Sequence, residues 1–103
     1  MREGEVVFCY LLFRGESGPL LQGTIGTRHM PFPFTVRPSI RGHDLIFDVS
    51  TDGTLCRARA HLHRPDGEAT AIEVEFPVNR TKVKWREFAL GEEYRLWLRA
   101  ALE

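Results

Sequence analysis

The feature that most constrains the fold is a pair of alternating segments joined by one turn sequence. Apolar and polar side chains alternate from Thr54 to His63, and they alternate again from Ala69 to Val78. Alternation with a period of two is the pattern of a β-strand with one buried face. The connecting residues 64–68, Arg-Pro-Asp-Gly-Glu, are typical of a type I turn followed by a glycine bulge. The sequence therefore predicts an antiparallel hairpin over these two segments.

The bulged turn also predicts the register of this hairpin, because a slip of one residue would move every side chain to the other face. It places Arg59 opposite Glu73 and Arg57 opposite Glu75 on the polar face. The pairs expected on the apolar face are Ala60–Ile72, Ala58–Val74 and Cys56–Phe76. These cross-strand ion pairs explain the basic stripe of the hairpin without a bound nucleic acid.

Five more segments have the β-branched and aromatic composition of strands. They are Glu5–Phe13, Leu20–Thr27, Phe32–Arg37, Asp44–Ser50 and Thr81–Phe88. After Gly91 the period changes, and the apolar residues that recur at steps of three and four are Tyr94, Trp97, Leu98, Ala101 and Leu102. That spacing predicts an amphipathic α-helix over residues 91–102.

A chain of 103 residues lies within the usual range of a single domain. The predicted elements indicate one mainly β domain over residues 1–103. Its expected architecture is a small antiparallel β-barrel or sandwich of six to seven strands with one C-terminal α-helix.

Charge and cysteine content limit the class of partner. Acidic and basic residues balance at 14 each, so no net field attracts a nucleic acid polymer or an anionic membrane. No apolar run is long enough for membrane insertion. Cys9 and Cys56 each lie in a strand-like run, which predicts buried free thiols in a reducing compartment. We therefore expect a cytoplasmic protein.

Residues that could carry catalysis are sparse. His61, His63 and Glu68 are spaced so that two imidazoles and a carboxylate could share one metal ion. A third imidazole would strengthen such a site, and no histidine follows His63. We expect no metal, no cofactor and no catalytic residue, and a His/Glu metal-dependent enzyme is kept as a further alternative.

The segment Asp48–Gly53 has the form Asp-x-Ser-x-x-Gly and ends one predicted strand just before the next. It resembles the second signature of PilZ domains, which are receptors for the dinucleotide cyclic di-GMP. The resemblance implies that Asp48, Ser50 and Gly53 bind the ligand. The same residues also suit a plain type I turn in which Asp and Ser side chains bond to local amides.

The PilZ resemblance extends to arginines upstream of that segment. In that family an Arg-x-x-x-Arg sequence clamps guanine and phosphate groups, and Arg37 and Arg41 match its spacing. Arg28 stands at a more suitable distance along the chain from Asp48. The resemblance therefore implies that arginines among these three would contact a cyclic dinucleotide.

A second resemblance covers the C-terminal third of the chain. Residues 85–90 and 91–102 are similar to the last strand and helix of pleckstrin-homology domains, in which a helix tryptophan plugs the barrel. Trp97 would take that position, and the resemblance implies a protein-interaction domain. Both resemblances describe non-catalytic binding modules. The expected partners are a cyclic dinucleotide first, and otherwise a protein partner or a second copy in a homo-oligomer.

Overall fold

The computed structural model describes residues 6–16, 18–26, 33–52, 54–79 and 84–102. Within these ranges the chain forms nine β-strands and no helix. The strands are β1 Val6–Arg14, β2 Pro19–Gly26, β3 Phe34–Val36, β4 Ser39–Ile40, β5 His43–Thr51, β6 Leu55–His63, β7 Ala69–Pro77, β8 Arg86–Ala89 and β9 Tyr94–Leu102. None of the described residues belongs to a helix long and apolar enough to cross a membrane.

The strands form two antiparallel sheets. The first sheet has the order β2-β1-β9-β8, and the second has the order β3-β5-β6-β7 with β4 paired to β5. The sheets pack face to face through a shared apolar core, in which the ring of Phe47 lies 5.6 Å from Phe8 and 5.0 Å from Tyr10. The mainly β, antiparallel prediction is confirmed, whereas the described strands do not close into a barrel.

The hairpin register predicted from the turn is confirmed. Arg59 lies opposite Glu73 and Arg57 opposite Glu75, and the three expected apolar pairs face each other as well. Gly67 adopts a φ of 89°, the left-handed conformation that the bulge requires. The N–H of Arg64 donates to the carbonyl of Glu68 at 2.9 Å and closes the loop.

The predicted helix over residues 91–102 is wrong, because this segment forms strand β9. Its alternate residues are the buried ones: Tyr94, Leu96, Leu98 and Ala100. The segment therefore carries a period of two as well as the three- and four-residue steps. Pairing with β1 over nine residues gives β9 a full ladder of backbone hydrogen bonds, and it buries these four side chains in the core. Tertiary pairing decides between the two patterns.

Nine strands exceed the predicted six to seven for two reasons. Each of the seven predicted strand segments overlaps an observed strand, whereas the sequence does not predict β4 and predicts a helix in place of β9. Ser39–Ile40 is only two residues long and gives no periodic signal. The start of the predicted strand Thr81–Phe88 lies outside the described residues, and β8 begins at Arg86.

Both cysteines are buried free thiols, as predicted. Cys56 lies in the core between the sheets, and burial raises the pKa of its thiol to about 12. Burial also raises the pKa of the Tyr10 hydroxyl.

One buried polar contact joins the two sheets. His43 begins β5 and is 3 % exposed, and its Nε2 lies 2.8 Å from the hydroxyl of Tyr94 at the start of β9. Its Nδ1 faces the carbonyl of Ile40 at 3.3 Å. With Nδ1 protonated and donating to that carbonyl, Nε2 is the acceptor of the Tyr94 hydroxyl. The guanidinium groups of Arg14 and Arg64 lie 5.6 and 5.7 Å from the centre of the Tyr94 ring.

Candidate functional site

The outward face of the second sheet carries the predicted aspartate and serine, and we call it the polar face. Its central residues come from β5, β6 and β7: Asp48, Ser50, Arg57, Arg59, Glu73 and Glu75. The strand register sets Asp48 opposite Arg59 and Ser50 opposite Arg57. A carboxylate, a hydroxyl and two guanidinium groups thus occupy two neighbouring rows of one sheet face.

Asp48 and Ser50 lie on a strand rather than in the turn that follows it. Asp48 is exposed, and one of its carboxylate oxygens accepts a hydrogen bond of 2.6 Å from the Thr35 hydroxyl on β3. Its second oxygen remains available to accept from another donor. Ser50 is half-buried and lines a groove of about 480 Å³ together with Arg57 and Arg59.

The turn itself is held by a different residue. One oxygen of the Asp52 carboxylate accepts hydrogen bonds from the backbone N–H groups of Thr54 at 2.8 Å and Leu55 at 2.9 Å. The bonds from Leu55 and Thr54 lower the pKa of this carboxyl. The local role foreseen for the Asp and Ser of the motif is therefore carried out by Asp52. This leaves Asp48 and Ser50 for other contacts.

The two arginines of the polar face are paired but exposed. Arg57 Nε lies 2.6 Å from Glu75, and an Arg59 terminal nitrogen lies 2.8 Å from Glu73. The hydrogen bond to Glu73 raises the pKa of Arg59. About half or more of each of these four side chains is open to solvent, so water and salt screen the ion pairs strongly. A competing anion could therefore replace either glutamate at little cost.

Two of the predicted arginines, Arg37 and Arg41, lie within the described residues. Arg41 lies in the turn between β4 and β5, with a φ of 49°. The strand residues from His43 to Asp48, which span about 17 Å, lie between this turn and Asp48. Arg37 is exposed and follows the end of β3, two residues after the Thr35 whose hydroxyl bonds to Asp48. Arg28 and Gly53 lie outside the described residues.

Sequence reasoning missed Arg57 and Arg59 as neighbours of the motif. It explained them by their glutamates across the β6–β7 hairpin and did not consider their other neighbour, β5. The signal was present in the short connection between Thr51 and Leu55, which is typical of a hairpin and sets β6 beside β5.

Two alternatives have less structural basis. His61 and His63 follow each other on the outward side of β6, but no three His, Cys, Asp or Glu side chains in the described ranges are grouped so that they could hold a metal. The pleckstrin-homology resemblance requires a C-terminal helix, and β9 occupies that segment. Trp97 faces away from the core, where its ring lies 5.7 Å from Phe13.

Comparison with known proteins adds no family assignment. No protein-family model matches the chain, and neither the curated proteins nor the solved structures yield a match.

Proposed function

We propose that the protein is a non-catalytic binding module whose polar face binds a cyclic dinucleotide such as cyclic di-GMP. One observation carries the proposal: Asp48 and Ser50 lie directly beside Arg59 and Arg57 on one sheet face. The PilZ-like motif thus has two arginine neighbours on β6, which the resemblance to that family did not include.

The chemistry of the four side chains matches the groups of the ligand. A carboxylate can accept from the N–H groups of a guanine edge, and a hydroxyl can donate to its ring nitrogen or carbonyl. Guanidinium groups donate paired hydrogen bonds to phosphate oxygens or stack on the base. A groove of about 480 Å³ is within the roughly 300–1,000 Å³ of ordinary ligand sites.

Binding in this mode requires a change of partner for the arginines. The ligand phosphates would take the place of Glu73 and Glu75, whose carboxylates also add negative charge to the face. Removing a glutamate should then strengthen binding, while removing an arginine should weaken it. This opposite sign distinguishes phosphate recognition from nonspecific adhesion to the sheet.

Calorimetric titration with cyclic di-GMP tests the proposal. We expect Asp48→Ala and Arg59→Ala each to weaken binding about tenfold or more, because each leaves a polar group of the ligand without its partner. Glu73→Gln should tighten it. Asp44→Ala is the matched control, since Asp44 is also exposed and on the same side of β5, about 13 Å from Asp48. Absence of heat at saturating ligand would refute the proposal, as would an equal loss in the Asp44 variant.

A further inference from the structure

The outward face of the first sheet is apolar and aromatic, in contrast to the polar face of the second. Its half-buried side chains include Leu11 and Phe13 on β1, Trp97 on β9, and Trp85 just before β8. The ring of Trp97 lies 5.7 Å from Phe13 and 6.4 Å from Trp85. Both tryptophans of the chain are therefore on this one face. Aromatic residues and arginine are the types that dominate the energetics of protein interfaces.

Arg99 and Arg95 are the arginines that β9 contributes to this aromatic face, and Arg99 differs from Arg95 because it pairs with no described carboxylate. Its guanidinium carbon lies 4.8 Å from the centre of the Trp85 ring, so the group is held by stacking. The Nε of Arg99 is buried without a hydrogen-bond partner, and the guanidinium forms no ion pair with any described residue. The arginines that do pair with described carboxylates are Arg14, Arg57, Arg59, Arg64 and Arg95. A stacked, unpaired guanidinium is preorganised to receive a carboxylate through its terminal nitrogens.

A second unmet donor lies on the same strand. The indole Nε1 of Trp97, two residues before Arg99, is also buried without a hydrogen-bond partner. Buried donors are rarely left unpaired in folded proteins, and such cases call for an explanation. Both atoms are closed to solvent, so a ligand in the groove beside them would meet Arg99 through its terminal nitrogens instead.

The shape of the face gives the size of the occupant. A groove of about 340 Å³ crosses it from Thr24 on β2, over Leu11 on β1, to Arg99 and Trp85. It spans three interstrand spacings, about 14 Å, which matches about four residues of extended chain. We propose that this groove binds a short extended peptide segment of a partner protein, with a Glu or Asp carboxylate on Arg99 and an apolar side chain against Trp85.

Face-to-face pairing of two copies would leave Arg99 without a carboxylate partner. Glu87 is the acidic residue among the described strand residues of this face, and it already lies 3.4 Å from Arg95. Two copies placed face to face would bring their Arg99 side chains together with no carboxylate left to accept from them. Charge complementarity therefore favours an acidic partner.

The test uses capped tetrapeptides that contain one Glu among Leu, Phe and Val, each matched with its Gln counterpart. Binding is followed by tryptophan fluorescence and by the two indole N–H resonances in NMR, since Trp85 lines the groove and the Trp97 ring lies 6.4 Å from that of Trp85. We expect at least one Glu peptide to shift both resonances and to saturate, and its Gln counterpart to bind about tenfold more weakly or worse. The variant Arg99→Gln should lose the same factor. Arg99→Lys should weaken binding of the Glu peptide by a smaller factor, because the positive charge is kept while the paired N–H donors of the guanidinium are lost.

The control variant is Arg95→Gln, an arginine on the same strand and face whose nitrogens already contact Glu87 and the carbonyl of Gly15. It should leave peptide affinity unchanged, and circular dichroism checks that each variant is folded. Three results would overturn the inference: no Glu peptide binding better than its Gln match, unchanged affinity in Arg99→Gln, or equal affinity for free N-acetylglutamate, which would indicate a small-acid site. If the indole N–H resonances shift with protein concentration in the absence of peptide, the aromatic face binds a second copy of the chain instead.

Discussion

Gly23 on β2 lies beneath an aromatic ring, which makes its substitution an unusually direct test of the core. Gly23 pairs with Tyr10 across the first sheet. A Cβ added at Gly23 would lie 2.4 Å from the ring carbon Cζ of Tyr10 and 2.4 Å from its hydroxyl oxygen. The ring cannot swing away freely, because it is 7 % exposed and its centroid lies 5.0 Å from that of Phe47. Overpacking of this kind costs about 1–3 kcal/mol.

We therefore expect Gly23→Ala to lower the free energy of unfolding by about 1–3 kcal/mol in urea titrations. The sign of this effect on the free energy of unfolding should reverse when Tyr10 is replaced by a smaller side chain. In a Tyr10→Leu background the clash is gone, and Gly23→Ala should stabilise by up to about 0.5–1 kcal/mol, since glycine loses more backbone entropy in a strand than alanine. Gly18→Ala is the control, because a Cβ there meets nothing within 4 Å. A neutral Gly23→Ala in the wild-type background would refute this account of the packing.

Two further predictions concern burial. Cys56 should resist thiol reagents at pH 8 until the protein is unfolded in urea, and rapid labelling of Cys56 in the folded state would contradict this. The free energy of unfolding should fall as pH rises from about 9 towards 12, because burial raises the pKa of the Cys56 thiol in the folded state above its ordinary value. Leu98→Ala should lower the free energy of unfolding by about 2–5 kcal/mol, since Leu98 is 0 % exposed, whereas Trp97→Ala on the outward face should cost less. Urea unfolding measures both changes, and a cost for Trp97→Ala as large as that for Leu98→Ala would contradict the strand, because the helix predicted from the sequence buries both side chains.

How much could be predicted depended on whether the deciding contact was local. The hairpin around Gly67 was predicted down to its register because the turn residues and the alternation are both contained in one stretch of chain. Residues 94–102 carry two periodicities at once, and only the presence of β1 selects the strand. That partner lies some 80 residues earlier, so no window of sequence around β9 contains it.

The same reason separates the two halves of the candidate site. Asp48 and Ser50 were identified because their motif is contiguous. Arg57 and Arg59 lie on the next strand, and their position beside the motif follows from the pairing of β5 with β6. The aromatic face of the first sheet gave still less signal, because Trp85 and Arg99 meet across two strands and the helix prediction had placed Trp97 in the core.

The contact between His43 and Tyr94 has a mechanical consequence for the polar face. Apolar packing has no preferred direction, so two sheets held by it alone can shear past each other. The hydrogen bond of 2.8 Å fixes them at the end where β5 and β9 begin, because breaking it would leave a buried imidazole nitrogen unpaired. We therefore expect relative motion of the two sheets to be smaller at this end than at the far end of β5, where Ser50 lies.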